Sequence, residues 1–68
     1  MKLSARNQLS GKVVEINEGA VNASVKIEIA KDIVISSTIS LDAVKELNLK
    51  VGSEATAVIK ATSVMVMA

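Results

Sequence analysis

The sequence contains no Phe, Tyr or Trp, no Cys and no His. Without thiolate or imidazole ligands there is no disulfide framework, no thiol chemistry and none of the usual zinc sites, and the commonest general base is missing. Without aromatic rings the stacking platforms that hold single-stranded nucleic acid are absent. Charge of one sign is scarce too. Eight Lys and Arg against seven Asp and Glu leave a net charge of +1, far from the basic surplus that binds phosphate backbones through counterion release. No apolar run approaches the roughly 20 residues that span a bilayer, and the opening Met1-Lys2-Leu3-Ser4 does not begin a signal peptide. Neither nucleic acid nor a membrane is expected as a partner, and a cytoplasmic location is expected.

What is present is largely aliphatic: half of the 68 residues are apolar, drawn from Val, Ile, Leu, Ala and three Met. A folded chain of this size hides only about 60% of its unfolded surface. A single domain over residues 1–68 is therefore expected, together with association into a homo-oligomer. Gly11, Gly19 and Gly52 fall where turns or bulges are expected.

The β-branched cluster Val13, Val14 and Ile16 predicts a first strand over Lys12 to Asn17, ended by the turn residues Asn17, Glu18 and Gly19. Residues 21–29 alternate, with Val21, Ala23, Val25, Ile27 and Ile29 on one parity and Asn22, Ser24, Lys26 and Glu28 on the other, which predicts a strand with one dry face. After Lys31 and Asp32, residues 33–39 are rich in β-branched side chains and complete a hairpin. Ser40 then suits an N-cap, and Leu41, Val44 and Leu47 recur at helical spacing, so a short helix is predicted over 41–47 with Asn48 as a left-handed stop. A fourth strand is predicted over Glu54 to Ala61, and a fifth, apolar on both faces, over Val64 to Met67. That order, with one helix between the third and fourth strands, predicts an all-β, five-stranded OB-like Greek-key barrel. An apolar end strand needs cover, which again points to a second copy.

Polar side chains crowd in three places. Ser4-Ala5-Arg6-Asn7-Gln8, ahead of the first predicted strand, offers a hydroxyl, a guanidinium and two amides. Lys60-Ala61-Thr62-Ser63 interrupts the final apolar strands, and Ser36, Ser37, Thr38 and Ser40 lead into the helix. All three sets are rich in donors, which suits an anion. Taken singly, each also has an ordinary reading: Arg6 as a solvated charge, Lys60 as a surface residue on the parity of Thr56 and Val58, and Ser40 as a cap. An enzyme is not expected. A Ser4 or Ser63 pair with Lys60 would need a desolvated amine and an oxyanion hole that nothing in the sequence announces. The carboxylates Glu15, Glu18, Glu28, Asp32, Asp42, Glu46 and Glu54 are scattered, without the close pairing that hydrolysis or a divalent cation requires.

The run Ser4-Ala5-Arg6-Asn7-Gln8-Leu9-Ser10-Gly11 resembles the opening motif of the Mop domain, the molybdate-binding unit of the molbindins. The likeness continues through Gly19-Ala20-Val21-Asn22-Ala23-Ser24-Val25, Ile39-Ser40, Glu46-Leu47-Asn48-Leu49 and Val58-Ile59-Lys60-Ala61-Thr62, in family order along essentially the whole chain. It implies an OB-like barrel that binds molybdate or tungstate at interfaces of a homohexamer, a trimer of dimers, for intracellular molybdenum storage and homeostasis. It further implies a principal oxyanion site shared between chains. Ser4 and Arg6 match the opening-motif part, from one chain, Lys60, Ala61 and Thr62 match the lysine-containing strand, from another, and Ser40 joins them from the loop before the helix. A second class of site near the threefold axis is carried over to Gly19, Ala20, Val21, Asn22 and Lys26. The ligand is the oxyanion itself, and no organic cofactor is implied. Two other readings stand beside this one: a structural oligomerisation module, and an OB-type nucleic-acid-binding protein without oxyanion specificity.

Overall fold

The computed structural model describes residues 3–68, so the first two residues of the expected domain lie outside the described residues. The fold is all-β with one short helix. Four strands, β1 (Asn7–Glu18), β2 (Asn22–Ala30), β3 (Ile33–Ser40) and β4 (Glu54–Ile59), form one antiparallel sheet in the order β3-β2-β1-β4. The helix α1 (Leu41–Glu46) follows β3 directly, and a 3-10 turn (Ala61–Ser63) follows β4.

β1 organises the molecule. Its first half, Asn7 to Lys12, pairs with β4, and its second half, Lys12 to Glu18, pairs with β2. The register shifts between Val13 and Glu15, where Val14 is the extra residue. A bulge of this kind bends a strand and increases its twist, and the bend lets one strand serve two partners in a curled sheet. Gly11 lies just before the bend. A Cβ there would fall on the backbone carbonyl of Glu28 in β2, so the close approach of β1 to β2 requires glycine. Gly11 is thus neither a turn nor the bulge, as its place in the sequence had suggested, but the contact point of two strands.

The dry face follows from alternation. Val13, Ala23, Val25, Ile27, Val44 and Ala57 are buried, with Ile16, Ile29, Ile35, Ile39, Leu41, Leu49 and Ala55 packed around them. Val44 brings α1 into this core, and the Leu41 amide donates to the Val21 carbonyl at 3.0 Å, which fixes the start of the helix on the β1–β2 turn. Ser40 caps the helix by accepting from the Ala43 amide at 3.0 Å. Asp32 (φ 62°) and Asn48 (φ 52°) take left-handed conformations at the β2–β3 turn and after the helix, and Gly52 (φ 96°) does so before β4.

Two expectations are corrected. Asn7 to Gly11 belong to β1, although their polar composition suggested a loop before the first strand; pairing with β4, distant in sequence, overrides weak local propensity. Val64 to Met67 do not form a fifth strand in the single chain. The 3-10 turn, with the Ser63 amide donating to the Lys60 carbonyl at 2.8 Å, takes the chain off the end of β4, and Met65, Val66 and Met67 are 93%, 91% and 96% exposed. β3 and β4 are therefore the open edges of the sheet. The inner face between them lines a cavity of about 680 Å³ whose walls include Ile35, Ile39, Leu49, Ala55 and Ile59.

Candidate functional site

The ladder between β1 and β4 ends at the pair Asn7 and Ile59. Arg6 and Lys60 each lie one residue beyond that last pair, so two segments more than fifty residues apart in sequence bring their cations to the same end of the sheet. Both side chains are exposed, as are those of Ser4, Ala61 and Thr62 on the adjoining segments. The Asn7 side chain crosses the pair, its Nδ2 donating to the Ile59 carbonyl at 3.2 Å. Gln8 makes a local bond instead, from Nε2 to the Ala5 carbonyl at 3.2 Å. Among the described residues the one salt bridge lies elsewhere, so neither Arg6 nor Lys60 is paired with a carboxylate.

Ser40 is not part of this cluster within one chain. It sits opposite Asn22 in the β2–β3 register, next to the turn that follows Glu18, and twelve residues of β1 separate that end from Arg6. Its hydroxyl oxygen accepts from the helix amide, which leaves the hydroxyl hydrogen free to be donated.

The other set of sequence candidates lies at that same far end. Gly19, Ala20 and Val21 form the β1–β2 turn, in which the Gly19 amide donates to the Asn22 carbonyl at 2.8 Å, and Asn22 opens β2. Lys26 stands further along β2, facing Glu15 in register, with Nζ 3.6 Å from the Glu15 carboxylate. The same carboxylate accepts from Asn17 Nδ2 at 2.6 Å. Lys26 is thus already engaged by an anion of the chain itself. Among the described residues, no three acidic side chains gather as a cation site would require.

The role of Asn7 at the end of the ladder is not among the sequence expectations, which place it ahead of the first strand. The signal that could have placed it is parity: Asn7, Leu9, Gly11 and Val13 share one face of an extended strand, which carries the pattern of β1 back through the opening motif.

A TOBE domain model matches residues 3–66. The chain belongs to the TOBE domain family, in its molbindin (Mop) branch. A probable molybdenum-pterin-binding protein of Haemophilus influenzae is 70% identical over 66 residues, which are 97% of this chain and 96% of that protein. Among solved structures, a molybdate-binding protein from Sporomusa ovata superposes with a TM-score of 0.93 at 37% identity, over all of both chains. The cytoplasmic molybdate-binding protein ModG, in a form with molybdate bound, superposes with a TM-score of 0.86 at 49% identity; 90% of this chain matches 43% of that longer one. The curled sheet with its single helix is therefore the Mop fold, and the relatives are named as binding proteins, not enzymes. Among the described residues no helix is long and apolar enough to cross a membrane.

Proposed function

We propose that this Mop domain binds molybdate, and tungstate with it, at a site built around Arg6 and Lys60, and that it acts without catalysis as an intracellular store of the oxyanion. The observation that supports this reading is the pair of exposed cations, each one residue beyond the end of the β1–β4 ladder, with no carboxylate among the described residues bonded to either. Molybdate is a tetrahedral dianion with four acceptor oxygens. Its site needs donors and positive charge and is weakened by nearby carboxylates. Arg6 and Lys60 supply charge-assisted bonds, about twice as strong as neutral ones. Ser4, Thr62 and the backbone around Ala61 supply direction.

The site is completed between chains. The resemblance takes Arg6 and Lys60 from two different chains, but pairing of β1 with β4 sets them at the same end of one chain's sheet, so in this reading both come from one chain and the free hydroxyl hydrogen of Ser40 comes from another copy. The assembly is a homohexamer built as a trimer of dimers. In it, the apolar segment Val64 to Met67 becomes the fifth strand of an OB-like Greek-key barrel by lying between the open edges of β3 and β4 in a neighbouring chain. This covers both the exposed segment and the apolar cavity. Sharing the anion between chains links loading to assembly. A ligand at one hundred times its dissociation constant stabilises the bound state by about 2.7 kcal/mol. The turn Gly19, Ala20, Val21 and Asn22 offers a second, weaker place for an anion through its backbone. Lys26 contributes little there while Glu15 holds it.

The test is calorimetric titration of the purified protein with molybdate against sulfate at matched ionic strength, with native mass spectrometry to count chains and anions. Saturable molybdate binding to a hexamer, with sulfate much weaker, supports the proposal. A protein that assembles but releases no heat with either anion would be an oligomerisation module instead.

A further inference from the structure

Arg6 and Lys60 carry the same charge, and each lies one residue beyond the last pair of the ladder, where the sheet runs out. Like charges gathered at one end of an antiparallel pair repel, which favours opening of this end of the ladder when no anion is present. The backbone offers little resistance. The last pair is Asn7 with Ile59, and beyond it the Lys60 carbonyl is turned away to accept from the Ser63 amide at 2.8 Å. What crosses the gap is a side chain. The half-buried Asn7 amide donates from Nδ2 to the Ile59 carbonyl at 3.2 Å, one residue from each cation. Deeper in the same pair of strands, the Ser10 and Thr56 hydroxyls also meet at 3.2 Å, but four residues from Arg6 and exposed.

We infer that Asn7 is a positioning residue for the oxyanion site: its side chain holds the end of the β1–β4 ladder closed against the repulsion of Arg6 and Lys60, so the two cations stand at a fixed separation before the anion arrives. Asn7 does not touch the anion. It acts through the Ile59 carbonyl on the placement of Lys60. The inference rests on the Arg6 and Lys60 site proposed above, and its consequences are measurable with and without ligand.

Without ligand, amide hydrogen exchange reads the clamp directly. Asn7→Leu, which keeps the bulk and removes the donor, should speed exchange roughly three- to tenfold in residues 7–9 and 57–59, the effect of one net hydrogen bond. Adding Lys60→Ala should restore protection by removing the repulsion. Gln8→Leu, whose amide bonds only within its own segment, should change nothing at β4. With ligand, Asn7→Leu should weaken molybdate binding by a similar factor in the natural background and by less than about twofold when Lys60 is already Ala, because the two residues act on one element. Asn7→Gln, which retains the amide, should recover part of the loss.

Unchanged exchange in Asn7→Leu overturns the inference. So does an affinity loss of equal size in both backgrounds, which would mark Asn7 as merely structural. If the natural protein takes up no molybdate while exchange still responds to Asn7 and Lys60 as described, the ligand reading fails and the clamp stands.

Discussion

The two ends of β1 place lysines in opposite electrostatic settings. At one end Lys60 shares the close of the β1–β4 ladder with another cation, Arg6, and neither meets a carboxylate among the described residues. Beside the other half of the strand, Lys26 lies 3.6 Å from Glu15, which also accepts from Asn17. A charge already satisfied by its own chain has little left for a dianion. Two unsatisfied charges held together have a free-energy reason to take one up. Counting basic residues in the sequence does not separate these cases; strand register does.

Both settings depend on β1 being one continuous strand, and Gly11 is where that strand is most easily disrupted. Gly11→Val forces a side chain onto the Glu28 carbonyl and should destabilise the fold by about 3 kcal/mol, at the upper end of the usual cost of overpacking. A urea midpoint unchanged from that of the natural protein would show that β1 does not pass so close to β2. Next in size are Arg6→Ala and Lys60→Ala. Each removes a charged donor and should weaken molybdate binding by about 1.5–3 kcal/mol, roughly ten- to one-hundredfold, in a calorimetric titration. Neither should lower the unfolding midpoint, because both side chains are exposed.

Ser40→Ala removes a hydroxyl that caps the helix and, in the proposed assembly, donates to the anion of a neighbouring chain. The lost cap should cost about 1 kcal/mol in chemical unfolding without ligand. Any additional loss of molybdate affinity measures the second function. The smallest effect belongs to Lys26→Ala. An exposed ion pair contributes about 0–1 kcal/mol, and its removal should leave molybdate affinity within about threefold of the natural value. A loss at Lys26 as large as that at Lys60 would erase the distinction between the two ends.

Local rules made much of the fold legible. Alternation at Ala23, Val25 and Ile27 marks the buried face of β2, and Ser40 with Leu41 and Val44 marks the helix and its cap. Asn48 takes the left-handed conformation that its position suggested. What escaped is nonlocal. The strand character of Asn7 to Gly11 comes from β4, and the reason for Gly11 lies in a carbonyl of β2. Val64 to Met67 look like a strand in composition yet have no partner within the chain, since a strand is defined by its neighbour as much as by its own residues. At the site, the donor types of Arg6, Lys60 and Ser40 were readable in the sequence. Their division between two ends of the sheet was not, because it follows from the pairing of β1 first with β4 and then with β2.

That division has a consequence for stoichiometry. Each chain carries one cationic end and one hydroxyl end, twelve residues of β1 apart, so the two ends do not meet within one chain. In the proposed assembly every junction uses the cationic end of one chain and the hydroxyl end of another. A closed ring or pair therefore has as many junctions as chains. On that proposal, capacity for sites of this kind is one anion per chain whatever the size of the assembly, and dilution to single chains should release the anions these junctions hold.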